Sequence, residues 1–198
     1  MNISMDRRRF LERCGLVAAG TVGGLLVPWW LNHTDLAIAQ DKPAHNAEEQ
    51  IKKLKLELPA PGKAGVGTIV PAVRAGDMLY VSGHTPSTPD GKPVVGKLGK
   101  DMEVKQGQEA ARLVALRVLS VVRAELGSLD KVVRLVKVLG MVNCTPDFTQ
   151  TPAVVSGYSE LMIQVFGEQA GKGARSAVGM ASLPNGVPVE VEVIFQVK

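Results

Sequence analysis

The chain has 198 residues, of which 23 are lysine or arginine and 19 are aspartate or glutamate, and 45% are hydrophobic. This length fits one domain with an extension. The formal net charge of +4 is too small to indicate a nucleic-acid-binding protein by itself. Beyond residue 39 the single cysteine is Cys144, so this part of the chain cannot form an internal disulfide. Cys144 is either an unreactive residue at the end of a strand or a reactive thiol.

Residues 1–39 have the features of an export signal. Arg7-Arg8 lies in a stretch that resembles the twin-arginine export motif, an uncharged run covers residues 15–31, and Ala37-Ile38-Ala39 is an A-x-A cleavage site. The alternative is a retained N-terminal anchor, although a run of about 17 residues is marginal for a membrane span. We therefore predict a periplasmic protein that meets the membrane only transiently during export, unless the anchor is retained.

The predicted elements follow in order after a polar segment, residues 40–58, that is a linker or a short amphipathic arm. Residues 59–198 form the predicted domain. Apolar residues at helical spacing indicate a helix over 104–126 that stops at Gly127. The other predicted elements are strands over 69–74, 78–82 and 132–142 and a helix from Thr151 to Phe166 that stops at Gly167.

The C-terminal residues 173–198 predict a β-hairpin. Its strands would be residues 174–183 and 189–197, joined by Pro184-Asn185-Gly186, because Asn-Gly is the strongest short hairpin signal. Glu190 and Glu192 alternate with valines and are predicted to share one face of the second strand. A cation at Arg175 and an acid on the partner strand could together bind a carboxylate and position a water.

One sheet with two helices is an α+β fold, and two helices cover only one face of the sheet. The strand over 132–142 is nevertheless apolar on both faces. Alternation places Val133, Leu135 and Leu139 on one face and Val132, Val136 and Val138 on the other. A sheet that is buried on both faces needs a further partner, and another copy of the same chain is the simplest one.

Three segments carry a resemblance to the RidA (YjgF) family, the reactive-intermediate deaminases, also described as endoribonuclease L-PSP-like. They are Leu-Tyr-Val-Ser-Gly-His-Thr-Pro over 79–86, Leu-Gly-Ser-Leu-Asp-Lys-Val-Val over 126–133, and Arg-Ser-Ala-Val from Arg175 followed by Leu-Pro and Val-Glu-Val-Glu. The ordered set covers residues 59–198. The chain resembles a divergent, exported subgroup of that family.

The resemblance implies a chorismate-mutase-like fold, with one mixed sheet, two helices on one face and trimerisation through the other. It implies a homotrimer with active sites between subunits that deaminates small carboxylate-bearing enamines or imines, as a 2-iminobutanoate/2-iminopropanoate deaminase-like hydrolase does. Arg175 would grip the substrate carboxylate and Glu190 would hold the attacking water. Further substrate-binding residues would be Ser82, Gly83, His84 and Ser156. No cofactor and no metal are expected.

Some positions depart from the family pattern. Ile69 stands in the stretch where the deaminases carry an aromatic residue, Ala177 replaces a frequent cysteine, and Ser156 is the nearest match to an asparagine. From spacing alone, Arg175 could equally form a surface salt bridge. The alternative to an enzyme is therefore a non-catalytic trimer that binds a small carboxylate metabolite or acts as a scaffold or chaperone. RNA cleavage is less favoured, because the sequence has no evident aromatic stacking platform or basic stripe.

Overall fold

The computed structural model describes residues 46–61 and 68–198, and the predicted export signal lies outside the described residues. The described residues belong to one unit, Gln40–Lys198. Its regular elements are α1 (Ala47–Lys53), β1 (Ala72–Ala75), β2 (Met78–His84), α2 (Val104–Leu126), β3 (Val132–Asn143), α3 (Thr151–Gly171), β4 (Ala174–Met180) and β5 (Val189–Val197). No helix within 46–61 and 68–198 is both long and apolar enough to cross a membrane.

The five strands form one mixed sheet in the order β1-β2-β5-β3-β4. Strands β1 and β2 form an antiparallel hairpin, and β5 is antiparallel to both of its neighbours, β2 and β3. Strand β4 is parallel to β3, and α3 connects the two. The α+β prediction, with a mixed sheet and two long helices packed on it, is confirmed.

The predicted C-terminal hairpin is wrong, because β3 lies between β4 and β5. The local turn is correct: Asn185 and Gly186 both adopt positive φ, and the Val187 N–H donates to the Pro184 carbonyl oxygen at 3.2 Å. Strand β4 ends at Met180 rather than at residue 183, which leaves residues 181–188 to connect it to β5. A connection of this length can reach past one strand, so a strong turn signal did not imply strand pairing.

The two long helices pack together and cover one face of the sheet. Helix α2 has its predicted bounds and ends at Gly127, whose φ of 78° is the left-handed conformation that glycine accepts at a helix end. Helix α3 has a non-helical residue at the predicted stop, Gly167 (φ 77°, ψ 172°), but helical structure resumes as far as Gly171. The largest fully buried side chains are Tyr158, Phe195, Leu79, Leu98, Leu119, Leu129, Leu135, Leu161 and Met162.

The faces of β3 differ from those that simple alternation predicts. The register of β3 against β5 shifts between Val132 and Arg134 and again between Leu135 and Lys137. Each irregularity adds one residue to β3, so the side chains that follow it point to the opposite face from the one that strict alternation gives. Val132, Leu135 and Val138 are therefore all buried. The prediction that Leu135 shares a face with Leu139 and opposes Val138 is therefore wrong.

The face of the sheet away from the helices, called the open face below, carries apolar side chains that are exposed in the single chain. Val73 and Tyr80 are 53% and 47% exposed, and Val178 on β4 is 39% exposed. Their register partners place them on the face opposite the buried valines of β5. That a partner covers this face stays a prediction.

Helix α1 lies in the segment that was predicted to be a linker or an amphipathic arm. Ala47 and Ile51 are buried in the core, and the Glu48 carboxylate accepts hydrogen bonds from the Arg123 guanidinium and from the Leu129 N–H. Burial alone would raise the pKa of Glu48, but these donors outweigh it and hold the pKa below its usual value. The segment is thus attached to the domain through a part-buried ion pair.

Candidate functional site

Arg175 projects from the edge strand β4 toward helix α3. Its Nη1 donates to the Ser159 hydroxyl at 3.1 Å and more weakly to the Ser156 hydroxyl at 3.4 Å, and its Nη2 donates to the Pro152 carbonyl oxygen at 3.3 Å. The residue remains exposed. Two predicted site residues, Arg175 and Ser156, are therefore in contact.

The acceptors of Arg175 lie on the first turns of α3, which begins at Thr151. The amino end of a helix carries a partial positive charge, which disfavours a neighbouring cation and favours an anion. Arg175 and the end of α3 thus place two sources of positive potential side by side. Such a pair is a suitable environment for a small anion.

Glu190 lies on β5 on the open face, as its alternation with the buried Val189 and Val191 predicted. Its carboxylate packs against the backbone of Gly83 so closely that a Cβ on that residue would overlap Oε1. Burial, followed by repulsion from the Glu192 carboxylate, raises the pKa of Glu190. Among the described residues, Glu190 forms no ion pair with a lysine or arginine.

Ser82 stands next to Gly83 at the end of β2. Its hydroxyl donates to the Val70 carbonyl oxygen at 2.7 Å, and its backbone N–H donates to the Pro71 carbonyl oxygen at 3.0 Å. These bonds fix the segment that follows Ile69, whose side chain is 66% exposed. A depression of about 260 Å³ on the open face is lined by Ser82, Tyr80, Lys137 and Glu192, among others.

The Arg175 cluster (Arg175, Ser156, Ser159) and the Glu190 cluster (Glu190, Gly83, Ser82) do not meet within one chain. Arg175 pairs with Val138 of β3, and Val138 pairs with Val193 of β5. All three residues therefore lie on the helix-covered face of the sheet. Glu190 lies three residues from Val193 along β5 and on the other face. Two strand spacings separate Arg175 on β4 from Glu190 on β5 by about 10 Å perpendicular to the strands, and three residues separate them by about 10 Å along the strands.

Residues 62–197 match the sequence profile of the family described as Endoribonuclease L-PSP. The chain belongs to this family, the RidA (YjgF) or endoribonuclease L-PSP family. The protein TCP17 of Trypanosoma cruzi is 42% identical over 146 residues, which cover 74% of this chain and 91% of TCP17.

Two solved structures extend the comparison. Atu1372 from Agrobacterium tumefaciens, a protein of unknown function, is 39% identical, with a TM-score of 0.69 over 77% of this chain and 94% of its own. Yeast Mmf1 is 31% identical, with a TM-score of 0.50 over 72% of this chain and 96% of its own. The fold of the RidA family is therefore shared, and it is shared more closely with Atu1372 than with Mmf1.

His84 occupies a different environment from the other residues of its motif. It is in register with the buried Val191, on the helix-covered face, and its Nε2 is buried without a hydrogen-bond partner among the described residues. Burial and then the positive charge of Arg117 lower the pKa of His84 to about 4, while a hydrogen bond to the Pro71 carbonyl opposes the shift. His84 is therefore a neutral imidazole at physiological pH, and it lies on the face opposite Glu190.

Sequence reasoning missed Ser159, which forms the shortest of the Arg175 hydrogen bonds. The signal was present, because Ser156 and Ser159 stand three residues apart on a helix and such residues share a face. Within 46–61 and 68–198 there is no group of three or more His, Cys, Asp or Glu side chains that could hold a metal ion. A separate cavity of about 700 Å³ lies at the corner of α1 and α2 around Glu48, and its described lining contains none of the predicted site residues.

Proposed function

We propose that this RidA-family protein hydrolyses small enamines or imines that bear a carboxylate, releasing ammonia and a 2-oxo acid. The observation that carries the proposal is the guanidinium of Arg175, which is held against α3 by three acceptors and is still exposed to solvent. A planar guanidinium matches a carboxylate in two hydrogen bonds. The chemistry requires no cofactor.

Glu190 supplies the second half of the proposed mechanism. A carboxylate with a raised pKa is a stronger base than an ordinary glutamate, so it can take a proton from a water that attacks the imine carbon. Glu190 passes that proton to the imine nitrogen, which gives a neutral carbinolamine. Glu190 then takes the hydroxyl proton of the carbinolamine and transfers it to the nitrogen, so that the C–N bond breaks, the 2-oxo group forms and ammonia leaves. Gly83 allows the carboxylate to lie close to the strand.

We propose that the site forms between subunits of a homotrimer. The separation of the Arg175 and Glu190 clusters within one chain and the exposed Val73 and Tyr80 on the open face both support assembly through that face. The number three rests on the family resemblance. Light scattering of the protein lacking residues 1–39 is expected to give about three times the monomer mass, and a folded monomer at micromolar concentration would remove the shared site.

The decisive experiment is imine hydrolysis by the wild-type protein. 2-Iminopropanoate would be generated in situ, and release of the 2-oxo acid would be followed against a buffer blank. We expect a rate above that of buffer. A rate equal to buffer, with carboxylate binding retained in calorimetry, would establish the alternative of a non-catalytic binding protein. The replacements at Ile69 and Ala177, which alter the expected walls of the pocket, favour that alternative.

We propose that the protein acts after export to the periplasm. The support is the sequence alone: Arg7-Arg8, the uncharged run and the Ala37-Ile38-Ala39 site. N-terminal sequencing of the periplasmic form is expected to begin at Gln40, and replacement of Arg7 and Arg8 by lysine is expected to keep the protein in the cytoplasm. Unchanged export after that replacement would exclude the twin-arginine route, and a retained N-terminus would indicate an anchor.

A further inference from the structure

The hydrogen bonds of Arg175 leave a defined part of its guanidinium unused. A guanidinium has five N–H groups in a fixed plane. Nη1 donates to the hydroxyls of Ser156 and Ser159 at 3.4 and 3.1 Å, and Nη2 donates to the Pro152 carbonyl oxygen at 3.3 Å. The Ser156 hydroxyl also donates to that carbonyl at 3.0 Å, so these two acceptors are adjacent and occupy the end of the guanidinium where Nη1 and Nη2 point in parallel.

The two N–H groups that remain are Nε–H and the outer proton of Nη2. Toward the described residues neither of them makes a hydrogen bond. They lie parallel on the side of the guanidinium, which is one of the two edges that can hold both oxygens of a carboxylate. The end edge, which is the alternative, is already occupied by α3.

We propose that Ser156 and Ser159, with the Pro152 carbonyl, are positioning groups that direct the side edge of Arg175 outward for a planar monocarboxylate. The proposal rests on the proposed function and deepens it: it assigns a role to Ser159 and specifies how the carboxylate is bound. It also selects among anions, because a planar carboxylate fits two parallel donors. The ligand group that this edge fits is accordingly a planar carboxylate bound edge to edge.

Stability does not explain this arrangement. Arg175 is exposed and, among the described residues, bonds only neutral acceptors. It also stands at the amino end of α3, where a positive charge is disfavoured. An exposed arginine without such a role would extend into water and keep the freedom of its rotamers. Because the exposed side chain of Arg175 is already ordered, less side-chain entropy is lost when an anion binds to it.

The first test measures the order of the arginine directly. Heteronuclear relaxation of the Arg175 Nε–H group would be compared in the wild type, in Ser156→Ala/Ser159→Ala, and in Ser159→Thr, which keeps a hydroxyl. We expect a rigid Nε–H in the wild type, averaging in the double variant and restored rigidity in the threonine variant. Equal mobility in all three would overturn the proposal, whether or not the protein has activity.

The second test measures binding of pyruvate, a 2-oxo monocarboxylate that cannot be deaminated. The double variant is expected to bind about 10-fold more weakly, because its Arg175 side chain must be immobilised when the ligand binds. KM should rise with kcat nearly unchanged, and Ser159→Thr should recover binding. Unchanged pyruvate binding in the double variant would refute the positioning role and leave the proposed function intact. A rigid Arg175 in a wild-type protein that hydrolyses no imine would refute the proposed function and leave the positioning role intact.

Discussion

The Arg175 cluster and the Glu190 cluster are organised in opposite ways. Arg175 is surrounded by acceptors on α3 that hold its charge in place. Glu190 is partly buried against Gly83 and lies beside the Glu192 carboxylate, and burial first and like charge second disfavour its ionised form. A held cation is suited to binding, and a carboxylate with a raised pKa is suited to proton transfer. The fold places Arg175 and Glu190 on opposite faces of one sheet, and in the proposed function each contributes half of the site.

The largest expected effect is on the binding half. Arg175→Ala removes two charge-assisted hydrogen bonds to the ligand, each worth about 1.5–3 kcal/mol, so pyruvate binding should weaken by about 10²-fold or more. Calorimetric titration measures it. The matched control is Arg112→Ala, which removes an arginine of α2 that bonds Gln164. Pyruvate binding that survives in Arg175→Ala would place the carboxylate site elsewhere.

The next effect belongs to the reacting half. Glu190→Gln keeps the size of the side chain but removes the base, so turnover should fall by about 10²-fold or more with pyruvate binding nearly unchanged. Glu125→Gln is the control, because Glu125 is exposed on α2 and its loss removes one negative charge without changing the groups that raise the pKa of Glu190. Steady-state kinetics on the imine would show the difference in kcat. A similar fall in both variants would point to a general loss of negative charge rather than to one base.

Mixing the two variants tests whether the clusters combine across subunits. Arg175→Ala and Glu190→Gln chains would be unfolded, mixed in equal amounts and refolded together. If each site takes its arginine from one copy and its glutamate from another, about a quarter of the sites should contain both native residues. Activity near that fraction of the wild type is expected, whereas each variant refolded alone stays inactive. No recovery on mixing would mean that both residues act from the same chain.

A smaller effect is expected from Gly83→Ala. The added Cβ overlaps Glu190 Oε1, which is the end of a flexible side chain and can move. The carboxylate should therefore be displaced with little change in the free energy of unfolding, while kcat falls about 10-fold, since misplaced catalytic groups lose much of their rate. Kinetics and a thermal melt of the same preparation distinguish a loss of kcat from a loss of stability. A large loss of stability would assign Gly83 a structural role instead.

Much of the fold could be predicted because local patterns determine it. Helix α2 and its glycine end follow from apolar spacing and from the conformational freedom of Gly127, and Glu190 was correctly placed on the face away from the valines. Strand pairing was not predictable in the same way. The Pro184-Asn185-Gly186 turn formed as expected, yet its flanking strands are separated by β3, because pairing depends on contacts far apart in the sequence.

The candidate site was predicted only in part for a related reason. Ser156 was expected beside the ligand and lies at Arg175, but His84 shares a motif with Ser82 and Gly83 and still lies on the other face. The register of β2 against β5 shifts between Val81 and His84, and such an irregularity cannot be inferred from alternation. The two shifts in β3 misled the assignment of Leu135 in the same way.

The smallest expected effect is on stability and concerns the reacting half alone. The pKa of Glu190 is raised by burial and by Glu192, so the folded state binds this proton more tightly than the unfolded state does. Its contribution to stability is therefore full below the unfolded pKa and is lost as the pH rises through the folded pKa. Glu190→Gln should then melt slightly above the wild type at pH 7, and the difference should shrink toward pH 4. Glu160→Gln, on the exposed side of α3, is the control. If Glu190→Gln melts below the wild type at pH 7, the ionised carboxylate stabilises the fold, and the contrast with the well-bonded Arg175 fails.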